Sequence, residues 1–133
     1  MPRPPDRKPN SLPNPAELDI LVALWRLGPS TVREVHEALK KDTGYTTTLK
    51  QMQLMTEKGL VSRSERFRSH VYEAAAPKEQ TLKQIAGDLL KRAFDGSAKS
   101  LLMGALTAQK ATDEELLEIR QMLDRFEKRK GTR

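Results

Sequence analysis

Thr46, Thr47, Lys50 and Gln53 stand at helical spacing within "YTTTLKQMQLMTEK", residues 45–58. A threonine hydroxyl can meet a phosphate or a base edge, and its methyl can meet a thymine methyl. A lysine reaches guanine acceptors or phosphate, and a glutamine pairs with adenine or a phosphate oxygen. Short side chains ahead of longer ones suit a helix that enters a major groove by its N-terminal end. Just beyond, between Lys58 and His70, stand Lys58, Arg63, Arg66 and Arg68 against a single acid, Glu65. Arginine offers planar, forked donors that match phosphate. Ser30 and Thr31 open an earlier helix and could receive a phosphate on free N–H groups. The bland alternatives are a threonine capping cluster on a solvated helix, and an edge strand guarded by charge.

Other chemistry is poorly provided for. His36 and His70 are the only histidines, and there is no cysteine. Disulfides, thiolate metal sites and cysteine nucleophiles are therefore excluded. No glycine-rich phosphate loop, serine elbow or paired metal-ligand spacing is present. No cofactor or metal is implied, and the chain is not expected to be an enzyme. Net charge is +6 over 133 residues, with twelve basic and nine acidic residues on each side of Ala76. That balance favours an anionic partner, nucleic acid before membrane, without placing the charge in one tail. "MPRPPDRKPNSLPNP" has no apolar core to act as a signal peptide, and no window approaches the ~18 apolar residues of a span. A cytoplasmic protein with no membrane insertion of its own is the expectation.

These residues need elements to hold them. Residues 1–13, rich in proline, read as a disordered arm, either a plain solvated tail or a basic arm touching DNA. "NPAELDILVALWRLGP" opens with Asn14, Pro15 and Glu17 in a capping box and closes at Gly28-Pro29. Its apolar residues cover most of the girth, leaving Asp19, Ala23 and Arg26 for solvent. "STVREVHEALKK" carries a second capping box, Thr31 with Glu34, and the stripe Val32, Val35, Leu39. The third helix, Tyr45 to Lys58, turns Leu49, Met52 and Met55 inward and stops at Gly59. Two short strands follow, about 60–65 and 70–74, with the tip near "RFRS". Three helices and a hairpin make the winged helix-turn-helix plan over residues 14–76.

From residue 77 to about 130 the pattern is three amphipathic helices. Leu82, Ile85, Leu89 and Phe94 mark the first, Leu101 and Leu102 the second, and Leu116, Ile119, Leu123 and Phe126 the third. Three short helices hardly close a core alone, so packing against a twin chain is the simplest way to bury them. The fold class expected is mainly α with a small β-hairpin, a winged helix-turn-helix followed by a C-terminal helical dimerisation region.

The whole resembles the penicillinase-repressor family, the BlaI, MecI and CopY type of transcriptional repressor. "PAELDILVALWRLGPSTVREVHEAL" is similar to its first two helices, "YTTTLKQMQLMTEKGLVSR" to its recognition helix, "RSHVYEA" to its wing, and "LLKRAFDGSAKSLLMGAL" with "TDEELLEIRQML" to its tail. The resemblance implies a homodimer on double-stranded DNA, at a pseudo-palindromic operator whose transcription it blocks. In the antibiotic-resistance branch it also implies a membrane-bound sensor metalloprotease that starts cleavage of the dimerisation region. The Asn-Phe pair cleaved there aligns near Gly104-Ala105, the cysteine cluster of the copper branch is missing, and Leu54 stands where members often carry arginine. The expected DNA set is Thr31, Thr46, Thr47, Lys50, Gln53, Arg63, Arg66 and Arg68. The alternative is a winged-helix protein-interaction module that never touches DNA.

Overall fold

The computed structural model describes residues 12–40, 42–66 and 68–131. Their order is α1 (Pro15–Leu27), α2 (Val32–Leu39), α3 (Tyr45–Lys58), β1 (Val61–Arg66), β2 (Ser69–Ala74), α4 (Lys78–Ala93), α5 (Ala98–Ala108) and α6 (Asp113–Gly131). Most of the expected proline-rich arm, and Phe67 at the hairpin tip, lie outside the described residues. The chain divides into two compact units, one through Gly87 and one from Asp88, with the boundary inside α4.

Local chemistry starts and stops the first helices where the sequence predicts. Asn14 Oδ1 accepts from the Glu17 N–H at 2.8 Å, and Glu17 Oε1 accepts from the Asn14 N–H at 2.9 Å. Two of the amides that a helix start leaves without partners are thereby satisfied. Gly28 closes α1 at φ 83° and ψ −168°, a region open in practice to glycine alone. Thr31 and Glu34 repeat the reciprocal cap on α2. Gly59 ends α3 at φ 81°, and the Leu60 N–H folds back to the Met55 carbonyl at 2.9 Å.

The core of the first unit draws on each of these elements. Ile20, Leu21 and Leu24 of α1 meet Val32 and Val35 of α2, Met52 and Met55 of α3, Val61 of β1 and Tyr72 of β2. Full burial of one such side chain contributes roughly 1.5–3 kcal/mol. The exposed side of α1 differs from the one its sequence pattern predicts. Ala23 is 3% exposed, whereas Val22 and Leu27 are 45% and 46% exposed. The buried face runs through positions 17, 20, 21 and 24, one turn apart, and a methyl at its edge is covered more easily than a long side chain off it.

β1 and β2 pair antiparallel from Val61↔Ala74 to Arg66↔Ser69. The hairpin is clipped to the corner between α1 and α2. The Ser30 N–H donates to the Tyr72 carbonyl at 2.9 Å, and the Tyr72 N–H returns to the Ser30 carbonyl at 2.8 Å. Trp25 Nε1 donates to the Ala76 carbonyl at 3.2 Å and fixes the strand's exit. Glu17 fastens the far side. Its Oε2 takes the Lys58 ammonium, joining the start of α1 to the end of α3. Lys58, counted from sequence among the hairpin's cations, is thus paired to a carboxylate in the core's margin.

In the second unit Asp95 and Gly96, at φ 51° and 78°, end the α4 helix, and the Gly96 N–H reaches back to the Leu90 carbonyl. Ser97 caps α5, and Thr112 accepts from the Glu115 N–H to start α6. A side-chain carbon at Gly104 of α5 would stand 3.6 Å from the Phe94 ring, ordinary van der Waals contact. None of the described residues from Asp88 onward is buried.

Glu17 is 5% exposed and serves a cap and an ion pair at once. Glu17→Ala should lower the unfolding free energy of the first unit by about 2 kcal/mol, since it removes both a cap and a charge-assisted hydrogen bond. Lys58→Met should cost less than half as much, because the lysine end of the pair is half exposed and water screens it. Urea titration followed by the fluorescence of Trp25, the only tryptophan, reads both. Equal losses would contradict this account.

Candidate nucleic-acid interface

Helix α3 is anchored by the residues it buries. Thr48, Met52 and Met55 lie on one side, all buried, and Leu49 packs beside them. Thr46, Lys50, Gln53 and Glu57, at successive one-turn intervals, fall on the opposite side and are exposed. Thr47 is exposed as well, on the flank of that row, and so is Leu54, two turns further along the same flank, at 44%. Four expected base readers therefore share one solvent-facing surface. The N-cap is Gly44, with no side-chain cap. The threonines are thus members of the first turn and not its capping cluster.

Sequence alone does not single out Thr48, because three consecutive threonines look alike. It is buried, and its Oγ1 shares a 3.0 Å hydrogen bond with His36 Nδ1. The His36 ring meets the Tyr45 ring edge to face, with centroids 6.0 Å apart. The guanidinium of Arg33 also lies over Tyr45, 4.6 Å from the ring centroid. Arg33 with His36 on α2, and Tyr45 with Thr48 on α3, are both i, i+3 pairs, so each pair shares a helix face. That matched spacing is the signal that could have revealed the contact. It fixes the first turn of α3 against α2.

The hairpin arginines are exposed, but they do not form one cluster. Arg63 pairs across the ladder with Tyr72, and Arg66 with Ser69. Alternation along β1 sends Arg63 and Arg66 to opposite faces of the ribbon. Arg68 stands at the tip with φ 64°, in the left-handed region. Among the described residues, Lys50, Arg63, Arg66 and Arg68 have no carboxylate partner. Their charge is available to an anion.

The free amides expected at the start of α2 are not free. The Ser30 N–H is held by Tyr72, and the Thr31 N–H donates to Glu34 Oε1 at 2.9 Å. The capping box and the strand clip use the groups that a phosphate was expected to take. Thr31 keeps a half-buried hydroxyl whose oxygen caps Glu34 and whose proton can still donate. Among the described residues, no group of three or more His, Asp or Glu is placed to hold a metal ion, and no helix is long and apolar enough to cross a membrane.

Comparison with known proteins bears on the family and the fold. Residues 14–125 match the sequence model of the penicillinase repressor family. The transcriptional regulator BlaI of Mycobacterium tuberculosis is 30% identical over 101 residues, covering 74% of this chain and 73% of that protein. A penicillinase repressor of Bacillus licheniformis is 23% identical over 117 residues, covering 86% and 91%. Among solved structures, a MarR family protein from Bacillus stearothermophilus matches 92% of this chain and 78% of its own, with a TM-score of 0.50 at 21% identity. That likeness concerns the fold, which is a winged helix-turn-helix with α3 as its third helix and the β1–β2 hairpin as its wing. The named relatives are transcriptional regulators and not enzymes. Helices, wing and tail fall within a single match that spans most of the sequence, and the chain belongs to the penicillinase repressor family.

Proposed function

We propose that the chain is a dimeric, sequence-specific DNA-binding repressor of transcription that occupies a pseudo-palindromic operator. The observation that carries the reading is the exposed row of Thr46, Lys50 and Gln53 on a helix whose other side is locked into the core. Thr46, Thr47, Lys50 and Gln53 face base edges in the major groove. Arg63, Arg66, Arg68 and Thr31 hold phosphates. A ribbon with arginines on opposite faces suits a wing set into a minor groove, where phosphates line both walls. The names of the relatives support repression as the outcome.

Dimerisation is assigned to residues 77–130. Leu82, Leu89, Leu102, Leu116, Leu123 and Phe126 are exposed large apolar side chains, and Ile85, Phe94, Leu101 and Ile119 are only half covered. Soluble monomers rarely leave so much apolar surface uncovered. Paired subunits place their α3 helices about one helical turn of DNA apart, or a small multiple of it. Derepression by a membrane-bound sensor metalloprotease belongs to the same reading. Gly104 and Ala105 lie within α5, so cleavage there requires that helix to unwind first.

Affinity for duplexes selected from a random pool should fall linearly in log–log form with salt, with a slope near −0.9 per neutralised phosphate. Lys50→Ala should chiefly broaden the set of duplexes recovered, whereas Arg68→Ala should weaken every duplex by a similar factor. A binding array with those two patterns exchanged would refute the division of labour. Leu123→Glu removes apolar burial twice per dimer, about 2 kcal/mol each time, so the dimer dissociation constant should rise roughly a thousandfold. Sedimentation equilibrium measures it, and an unchanged assembly state would remove Leu123 from the interface.

A further inference from the structure

We infer that the cleft between the starts of α2 and α3 and the strand β2 seats one backbone phosphate of the bound duplex, with Arg33 as its main ligand. The inference rests on the DNA-binding reading above. The cleft encloses about 290 Å³, and its polar lining comes from Thr31, Arg33, Tyr45, Ser69 and His70. Every one of these side chains can donate a hydrogen bond, and among the described residues no carboxylate lines the cleft. The volume lies at the lower limit of small-molecule pockets, roughly 300 Å³, which suits an oxyanion with part of its sugars better than a larger ligand.

Arg33 is held ready for such a group. Its guanidinium carbon sits over the Tyr45 ring, and Tyr45 is in turn braced by His36, which is tied to buried Thr48. A ring contact of this kind uses none of the guanidinium's N–H donors on a hydrogen-bond acceptor, so they stay available to an anion. Among the described residues, Arg33 has no carboxylate partner. Less ordering entropy is then lost when a phosphate arrives. The cleft's position fits the same purpose. Tyr45 immediately precedes the base-facing Thr46, and Ser69 immediately follows Arg68 at the wing tip. A DNA backbone that leaves the groove occupied by α3 and approaches the wing passes this cleft.

The test compares the full-length chain with Arg33→Gln on a duplex selected by the unaltered protein and on a scrambled duplex. Arg33→Gln should weaken both by a similar factor, on the order of tenfold. It should also make the salt slope shallower by about 0.9, the change expected when one phosphate fewer is neutralised. A folded Arg33→Gln protein with the original slope overturns the phosphate seat while leaving DNA binding intact. An unaltered chain that binds no duplex overturns the parent reading and this one with it. Arg33→Lys guards against misfolding, since it keeps the charge but not the fork. In duplexes with single neutral methylphosphonate linkages, one linkage should penalise the original protein several-fold more than Arg33→Lys. Equal penalties at every linkage would also overturn the assignment. Titration with inorganic phosphate, followed by ³¹P line broadening, separates the remaining source. Arg33-dependent binding at low millimolar phosphate, together with an unchanged duplex slope, would identify a free-anion site in place of a DNA contact.

Discussion

The two backbone hydrogen bonds between Ser30 and Tyr72 are the constraint on which the first unit depends. A two-stranded hairpin on its own is marginal in water. Here the second strand gains a short third partner from the α1–α2 corner, and Tyr72 sinks to 1% exposure beneath it. The clip also demands the glycine at 28, because the chain must leave α1 and turn into extended backbone within two residues. Once the wing is fixed to that corner, α3 is confined between α2 on one side and β1 on the other. Its outward row is then set by the side it must bury.

Sequence patterning reaches this arrangement from local rules. The three helix starts, the stops at Gly28 and Gly59, and the two strands are written in caps, turn residues and β-branched positions, all of which act within a few residues. Contacts between distant residues are less legible. Glu17 announces itself as a capping acid, but nothing nearby tells that its second oxygen holds Lys58, forty-one positions on. Thr48 is indistinguishable from Thr46 and Thr47 by type. Only the helical phase set by Met52 and Met55, at one and two turns' distance, places it inside. Ala23 reads as solvent-facing because an alanine is a weak reporter of either environment. The division of Arg63 from Arg66 required the register, which a hairpin of known ends would have supplied by parity alone.

The two units differ in how they reach stability. In the first, each element contributes to one shared core. In the second, the helices α5 and α6 are properly capped, and α6 is charged along its dipole, yet neither buries a residue fully. Capping and dipole effects are worth fractions of a kcal/mol to about one each, which cannot hold short helices without packing. Helices so equipped are prepared for a surface supplied from elsewhere. On the dimeric reading, a second copy of the chain supplies it with matched apolar faces, and folding of that unit then depends on protein concentration.

Between a nucleic-acid surface and a protein-docking surface, the composition of the outward face of α3 and the wing favours the first, in line with the proposed function. Protein interfaces concentrate aromatic and apolar side chains at their centre. The exposed row on α3 carries hydroxyls, an ammonium and an amide, with Leu54 its single large apolar member, and Tyr45, the exposed aromatic beside it, is in contact with the Arg33 guanidinium. The cations of the wing stand without counter-charges among the described residues. A protein partner would need to bring carboxylates to unrelated points on α3 and on both faces of the ribbon. A duplex brings phosphates to all of them through one regular geometry, with a negative charge every ~1.7 Å along its axis. Leu54 fits that geometry as well, since a thymine methyl projecting into the major groove is an apolar contact that a leucine at this point of the helix can cover.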